Sequence, residues 1–205
     1  MRNHKTEQLI EELLGIAHVF CAAACGVMEE KLLSEAMNQP VTPSQLKILK
    51  LLNLSASRNV GEVAAFLGVS DAAASKSVDR LVRSRYLRRT DAQSDRRSSE
   101  LSLTAAGQKL LNRYDGAKNR KLVKVFRNFA QDELRSGAEL LERLTKEIVT
   151  HSANPQQDIC LQCSIYLQKR CLVQEAVSVE CPYHARRKKR DAKSHTTQIE
   201  IPTRA

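Results

Sequence analysis

One stretch limits the fold more than any other: VGEVAAFLGVSDAAASKSVDRLVRSRYL, from Val60 to Leu87. Two short helical patterns meet there at Gly68. Only a residue without Cβ adopts the left-handed cap at little cost, so the first helix should end there. Ser70 then restarts the chain as an N-cap, its hydroxyl able to accept from a backbone N–H of the next turn. Two helices joined through a tight Gly turn form the helix-turn-helix pattern. Val63, Ala64 and Leu67 should pack on Ala74, Val78, Leu81 and Val82. That leaves Ala72, Ala73, Ser75, Lys76, Asp79, Arg80 and Arg83 outside the core. The first half of this outer face is small, which lets a backbone come close to DNA, and the second half is basic.

The neighbouring segments extend the pattern. Residues 5–37 carry apolar residues at helical spacing, with Leu9, Leu13, Ile16, Phe20 and Val27 on one face. A face so long and apolar must meet another part of the fold or a partner subunit. NQPVTPSQ breaks that helix, and Thr42 with Pro43 starts a short one with Leu46, Leu49 and Leu52 inside. After the helix pair, YLRRT and SSELSLT read as strands joined by DAQSDR. Arg88, Arg89, Arg96 and Arg97 lie on this hairpin. Thr104 caps a further helical run to about Thr150, interrupted near Ala130–Asp132, with Phe126, Phe129, Leu134, Leu141, Leu144 and Ile148 on its apolar face. The fold class is therefore mainly α with a small β-hairpin.

The segments TPSQLKILKLL, GEVAAFLGVSDAAASKSVDRLVRSRYLRR and DRRSSELSLTAAGQKLL together resemble the multiple-antibiotic-resistance regulator (MarR) family of winged-helix transcription factors. The similarity covers about residues 5–150. It implies a homodimer held by interlocked N- and C-terminal helices, a recognition helix in each major groove, wings in the flanking minor grooves, and an inverted-repeat operator in double-stranded DNA. Carried onto this chain, the resemblance puts Ala72, Ser75 and Lys76 at base edges, and Arg80 and Arg83 on phosphates. Arg97 enters a minor groove and Asp95 orients it. Ser70 and Arg96 complete the DNA-facing set. The implied division is an N-terminal dimerisation helix (1–40), a winged helix-turn-helix (41–110), C-terminal dimerisation helices (111–150), a cysteine segment (155–184) and a basic tail (185–205) read as disordered.

The cysteine segment lies outside that resemblance. Cys160, Cys163, Cys171 and Cys181 follow C-x2-C-x7-C-x9-C. Four thiolates so close in sequence suit an iron–sulfur cluster, with 4Fe-4S the leading form, or a Zn(Cys)4 site. Unequal gaps and a terminal Cys181-Pro182 lean toward the cluster; a structural zinc, or thiols that switch through a disulfide or stay inert, are the alternatives. His184 is a possible substitute ligand, more simply read as a surface residue. Ile159, Leu161, Ile165, Leu167, Leu172 and Val173 could shield such a centre. Cys21 and Cys25 share one face of the first helix and read as small residues packing a dimer.

Charge agrees with a nucleic-acid partner. Lys and Arg number 33 against 23 Asp and Glu, a formal net charge of +10. The run RRKKR near the C-terminus would add phosphate contacts. The N-terminus lacks the apolar region of a signal peptide, and no stretch is expected to approach membrane-span length, so a bacterial cytoplasmic, nucleoid-associated protein without a membrane partner is expected. No nucleotide loop, flavin fingerprint or catalytic constellation is visible, which argues against an enzyme. The sequence thus reads as a regulator, with repression the expected sense, controlled by a cluster that senses redox state, oxygen or nitric oxide. The alternative is a regulator controlled by a small organic ligand, with zinc as a brace.

Overall fold

The structure is a computed structural model that describes residues 2–36, 41–54, 58–91, 99–152, 160–167, 170–178, 181 and 183. The long N-terminal helix runs as α1 (Arg2–Ala23), a π-helical stretch (Ala24–Glu30) and α2 (Lys31–Ala36). α3 (Pro43–Leu54) follows, and its start is closed reciprocally: Thr42 Oγ1 accepts from Gln45 N, and Thr42 N donates to Gln45 Oε1. α4 (Val60–Leu67) begins with a capping box in which Asn59 and Glu62 satisfy each other's backbone N–H. It ends at Gly68, whose φ of 67° is the expected left-handed cap. Ser70 caps α5 (Asp71–Arg83) by accepting from Ala73 N.

The hairpin is antiparallel, with β1 (Leu87–Asp91) and β2 (Ser99–Leu103) in the register Leu87 opposite Leu103 through Asp91 opposite Ser99. A third backbone position joins it: Arg58 and Leu101 exchange both N–H···O bonds, at 3.2 and 2.7 Å. Thr104 caps α6 (Ala105–Phe126) by accepting from Gly107 N, while its hydroxyl donates to the carbonyls that close the α5–β1 turn. α7 spans Gln131–Thr150. The break between α6 and α7 therefore falls at 127–130, just before the expected interruption, because Glu133 reaches back to cap Ala130 N.

The core is built around α3. Leu46, Ile48, Leu49, Leu51 and Leu52 are all buried, more than the single face expected. α3 is covered from several sides at once, by α5, α6, β2 and the short C-terminal helix α8 (Cys163–Tyr166). The helix pair packs as expected: Val63, Ala64, Ala74, Val78 and Leu81 are buried, with Leu67 and Val82 at the edge. Phe66 was not anticipated, and it is among the most buried side chains.

Among the described residues, the apolar face of α1 and much of that of α7, which the short helix α9 (Leu172–Val177) covers around Val149, find no cover. Phe20, Ile16, Leu14, Phe129, Leu141 and Ile148 are all exposed. One expectation is corrected here. The continuous helix from His4 to Glu35 is long and apolar enough to cross a membrane by length and composition. The 16 residues from Leu13 to Met28 carry no Asp, Glu, Lys or Arg, so the charges that flank them do not interrupt the run.

Candidate nucleic-acid interface and cysteine cluster

α5 presents the proposed reading face. Its buried stripe of Ala74, Val78 and Leu81 fixes the helix against α4, so the opposite side must face out. Ala72, Lys76, Arg80 and Arg83 are exposed there, Ser75 is half-buried, and Ser70 stands at the helix start. The small N-terminal residues and basic C-terminal residues thus lie on one accessible surface. Arg89 of β1 forms a 3.1 Å ion pair with Asp79 of α5. This pair ties wing to recognition helix, a role that the sequence, read locally, did not give Arg89. Asp95, Arg96 and Arg97 lie outside the described residues.

The wing's seat depends on close backbone approach. A Cβ on Gly107 would lie 2.4 Å from Tyr86 O and 2.7 Å from Leu103 Cδ1. Glycine there lets the first turn of α6 rest on the carbonyl at the base of the hairpin.

The cysteine segment folds back onto the domain. α8 packs on α3, and α9 (Leu172–Val177) packs on α7. Buried Cys163, Cys171, Val173 and Val149 form a small second core, with Leu172, Val177 and Cys181 against it. Cys163 and Cys171 share a hydrogen bond, and the backbone N–H groups of Leu172 and Val173 donate to the Cys163 sulfur. The N–H of Gln162 does the same for Cys160, which stands within electrostatic reach of Cys171. Burial, the largest influence, pushes the thiols of both Cys160 and Cys163 up, with the N–H donors opposing it. Among the described residues, no three His, Cys, Asp or Glu side chains already converge as a metal-ion cage.

The donor chemistry nevertheless suits a thiolate-bound group. Backbone N–H groups aimed at sulfur stabilise the thiolate form, and Ser164 Oγ, beside Cys163, is buried without a hydrogen-bond partner. The shielding expectation needs amendment. Leu172 and Val173 do line the cysteines, but Ile165 joins the main core instead. Leu161 and Leu167 are exposed. Ile159, Pro182, His184 and the basic run after it lie outside the described residues. Cys21 and Cys25 are exposed on the helix whose apolar face lacks cover among the described residues.

Several contacts dock the segment. Arg170 pairs with Glu142 of α7 and Glu175 of α9, and Lys146 bridges the same two carboxylates at 2.8 and 2.7 Å. Gln162 Nε2 donates to Phe66 O at 3.0 Å. Tyr166 OH donates to Glu29 Oε1 at 2.9 Å, reaching the π-helical stretch. The Lys50 ammonium lies over the rings of Tyr114 and Tyr166, at 5.1 and 5.3 Å. Burial, the main cause, lowers the Lys50 pKa. Tyr183 sets its ring edge-to-face on Phe66, centroids 4.9 Å apart, with the Arg58 guanidinium 5.0 Å from it.

Comparison with known proteins agrees with this geometry. Residues 39–98 match the profile described as MarR_2, MarR family. An uncharacterized HTH-type transcriptional regulator of Bacillus subtilis, YpoP, is 27% identical over 115 residues, 56% of this chain and 82% of the relative. The HTH-type transcriptional repressor MdtR of the same organism is 26% identical over 123 residues, 60% of this chain and 79% of the relative. Among solved structures, a MarR family protein from Bacillus stearothermophilus superposes with a TM-score of 0.60 at 21% identity, over 69% of this chain and 96% of that one. Wild-type apo MarR from E. coli gives 0.56 at 22% identity, over 64% and 95%. These structural likenesses show the shared fold.

Proposed function

We propose, on the premise that this chain is a MarR-family transcriptional regulator, that it binds an inverted-repeat duplex as a homodimer and answers to the chemistry of its cysteine cluster. The observation that carries DNA reading is the two-sided α5, with a buried apolar stripe and an exposed face running from Ala72 to Arg83. Ala72, Ser75 and Lys76 take the base-edge positions, and Arg80 and Arg83 the phosphates. Asp95, Arg96 and Arg97 serve the minor groove on the strength of the family likeness. The exposed apolar faces of α1 and α7 are the dimer interface, since surfaces of that kind are seldom left in water. The protein acts as a repressor in the cytoplasm, and it does so without catalysis.

Cys160, Cys163, Cys171 and Cys181 would hold the responsive group. An iron–sulfur cluster, 4Fe-4S in the leading reading, would supply a charge change on reduction and lability toward oxygen or nitric oxide. The chain's own part is to bury Cys163 and Cys171, to aim N–H groups at sulfur, and to exclude water with Val149, Val173 and Leu172. Uptake of a metal by thiols that are protonated in the empty segment would release protons.

A second reading keeps the DNA-binding dimer but assigns control to a small anionic organic ligand, with zinc as a brace on the thiols. It is favoured by a cleft of about 530 Å³ between α2 and α6, lined by Leu32, Ala117, Arg113, Arg120, Lys124 and the Lys121–Glu35 ion pair at 3.8 Å, so that basic groups outnumber the one carboxylate. Anaerobic purification followed by iron, acid-labile sulfide and zinc analysis separates the two. Matching iron and sulfide with brown absorption bleached by air is the expected result. A colourless protein with one zinc per chain would sink the cluster. For DNA, selection from random duplexes should return an inverted repeat, and Arg80→Ala should lower the slope of log affinity against log salt by about 1. Binding that ignores both sequence and salt would refute the reading.

A further inference from the structure

We propose that the cysteine segment braces the reading head of its own protomer, and that Tyr183, acting on Arg58, carries the state of the segment to the wing. The proposal takes the cysteine cluster as the responsive end, and so rests on the function above. The contact itself does not depend on what the thiols bind.

Two anchors grip the same residue of α4. Gln162, between Cys160 and Cys163, donates to Phe66 O. Tyr183, two residues after Cys181, packs its ring on the Phe66 ring. Cys163, Cys171 and Cys181 lie between these anchors in sequence, and Cys160 lies two residues before the first. Any change that draws Cys181 toward Cys160 and Cys163, or releases it, therefore changes how both anchors bear on Phe66. Phe66 is two residues before Gly68, the cap that sets the turn into α5.

Arg58 extends the route. It is only 3% exposed, and three elements meet at it. Its guanidinium faces the Tyr183 ring. Its Nη1 lies 3.6 Å from Glu62, which closes the capping box of α4. Its backbone is hydrogen-bonded in both directions to Leu101 of β2. One buried residue thus links the cysteine segment, the start of α4 and the wing strand. Tyr183 is a positioning residue in this scheme.

The alternative route, through the dimer helix α7, uses Glu142, Lys146, Arg170 and Glu175. Those groups are largely solvent-facing and are screened by salt. The buried aromatic contact is the stiffer connection. Coupling through it must be reciprocal: whatever the segment does to the head, the head does to the segment.

The test is amide hydrogen exchange on the reduced full-length protein, read at Arg58 and Leu101. Tyr183→Leu removes the ring, and Tyr183→Phe keeps it. With the brace lost, exchange at those amides should rise about tenfold in Tyr183→Leu and stay within about twofold of wild type in Tyr183→Phe. Unchanged exchange in Tyr183→Leu would overturn the proposal and leave the contact as passive packing. If Tyr183→Leu loosens the α6 core amides as well, protein carrying Cys21→Ser and Cys25→Ser, labelled at exposed Cys160 with N-ethylmaleimide and compared with the same protein unlabelled, replaces it. A rise confined to Arg58 and Leu101 supports the route, and no rise refutes it. Iron and zinc content of the same samples is measured separately. Absent metal with the expected exchange sinks the cluster but keeps the brace, and bound metal with unchanged exchange does the reverse.

Discussion

Replacing Gly107 by Ala adds one carbon at the most crowded point of the wing. That Cβ would sit 2.4 Å from Tyr86 O and 2.7 Å from Leu103 Cδ1. Leucine can rotate away, but the carbonyl cannot easily do so. Tyr86 O already accepts from Thr104 N at 3.1 Å and from Thr104 Oγ1 at 3.0 Å. Overpacking against fixed backbone belongs at the top of its usual range, about 3 kcal/mol. Alanine in a helix returns about 1 kcal/mol through backbone entropy. The net is a loss of about 2 kcal/mol. Gly137→Ala is the matched control. It lies in exposed α7 with nothing within 4 Å of its Cβ, so only the helix gain of about 1 kcal/mol should appear. Urea unfolding followed by circular dichroism, at one fixed protomer concentration, checks both signs. With a slope of about 2 kcal/mol/M, the midpoints should move by about 1 M downward and about 0.5 M upward. A Gly107→Ala midpoint at or above wild type would refute the close-approach argument.

Two further predictions address the α4 cap and the docked segment. Asn59→Ala should cost about 1 kcal/mol in the same unfolding assay, since it removes one half of the capping box while leaving Glu62 and Arg58 in place. The Glu175 carboxyl is held down at about 2, first by its hydrogen bond to Arg170 and then by Lys146, against an ordinary 4.5. Its folded value is depressed, so its contribution to docking is present above pH 4.5 and fades as the pH falls toward 2. Protection of α9 amides, taken relative to the intrinsic exchange rate at each pH, should therefore fall as the pH drops from 4.5 toward 2, and Glu175→Gln should show the lowered protection already at pH 6. Identical rates in mutant and wild type at both ends would show that the ion network does not hold the segment.

Local chemistry was legible in the sequence. Gly68, Ser70, Thr42 and Thr104 act within a turn or two of themselves, so their caps follow from residue type and spacing alone. The buried stripe of α5 follows from helical period, and with it the exposed reading face. The apolar faces of α1 and α7 could be seen, but nothing local in the sequence says what covers them. Distant contacts were not legible. Gln162 meets Phe66 across 96 residues, and Tyr166 meets Glu29 across 137. No periodicity records such a pairing. From sequence the cysteines formed a spacing on an appended tail. Tertiary packing decided that this tail lies on α3, α4 and α7, with Tyr183 against Phe66 and Arg58. The reason is physical: a cap is set by bonds within one turn, whereas a docking surface is set by whichever apolar and hydrogen-bonding groups the rest of the fold leaves uncovered.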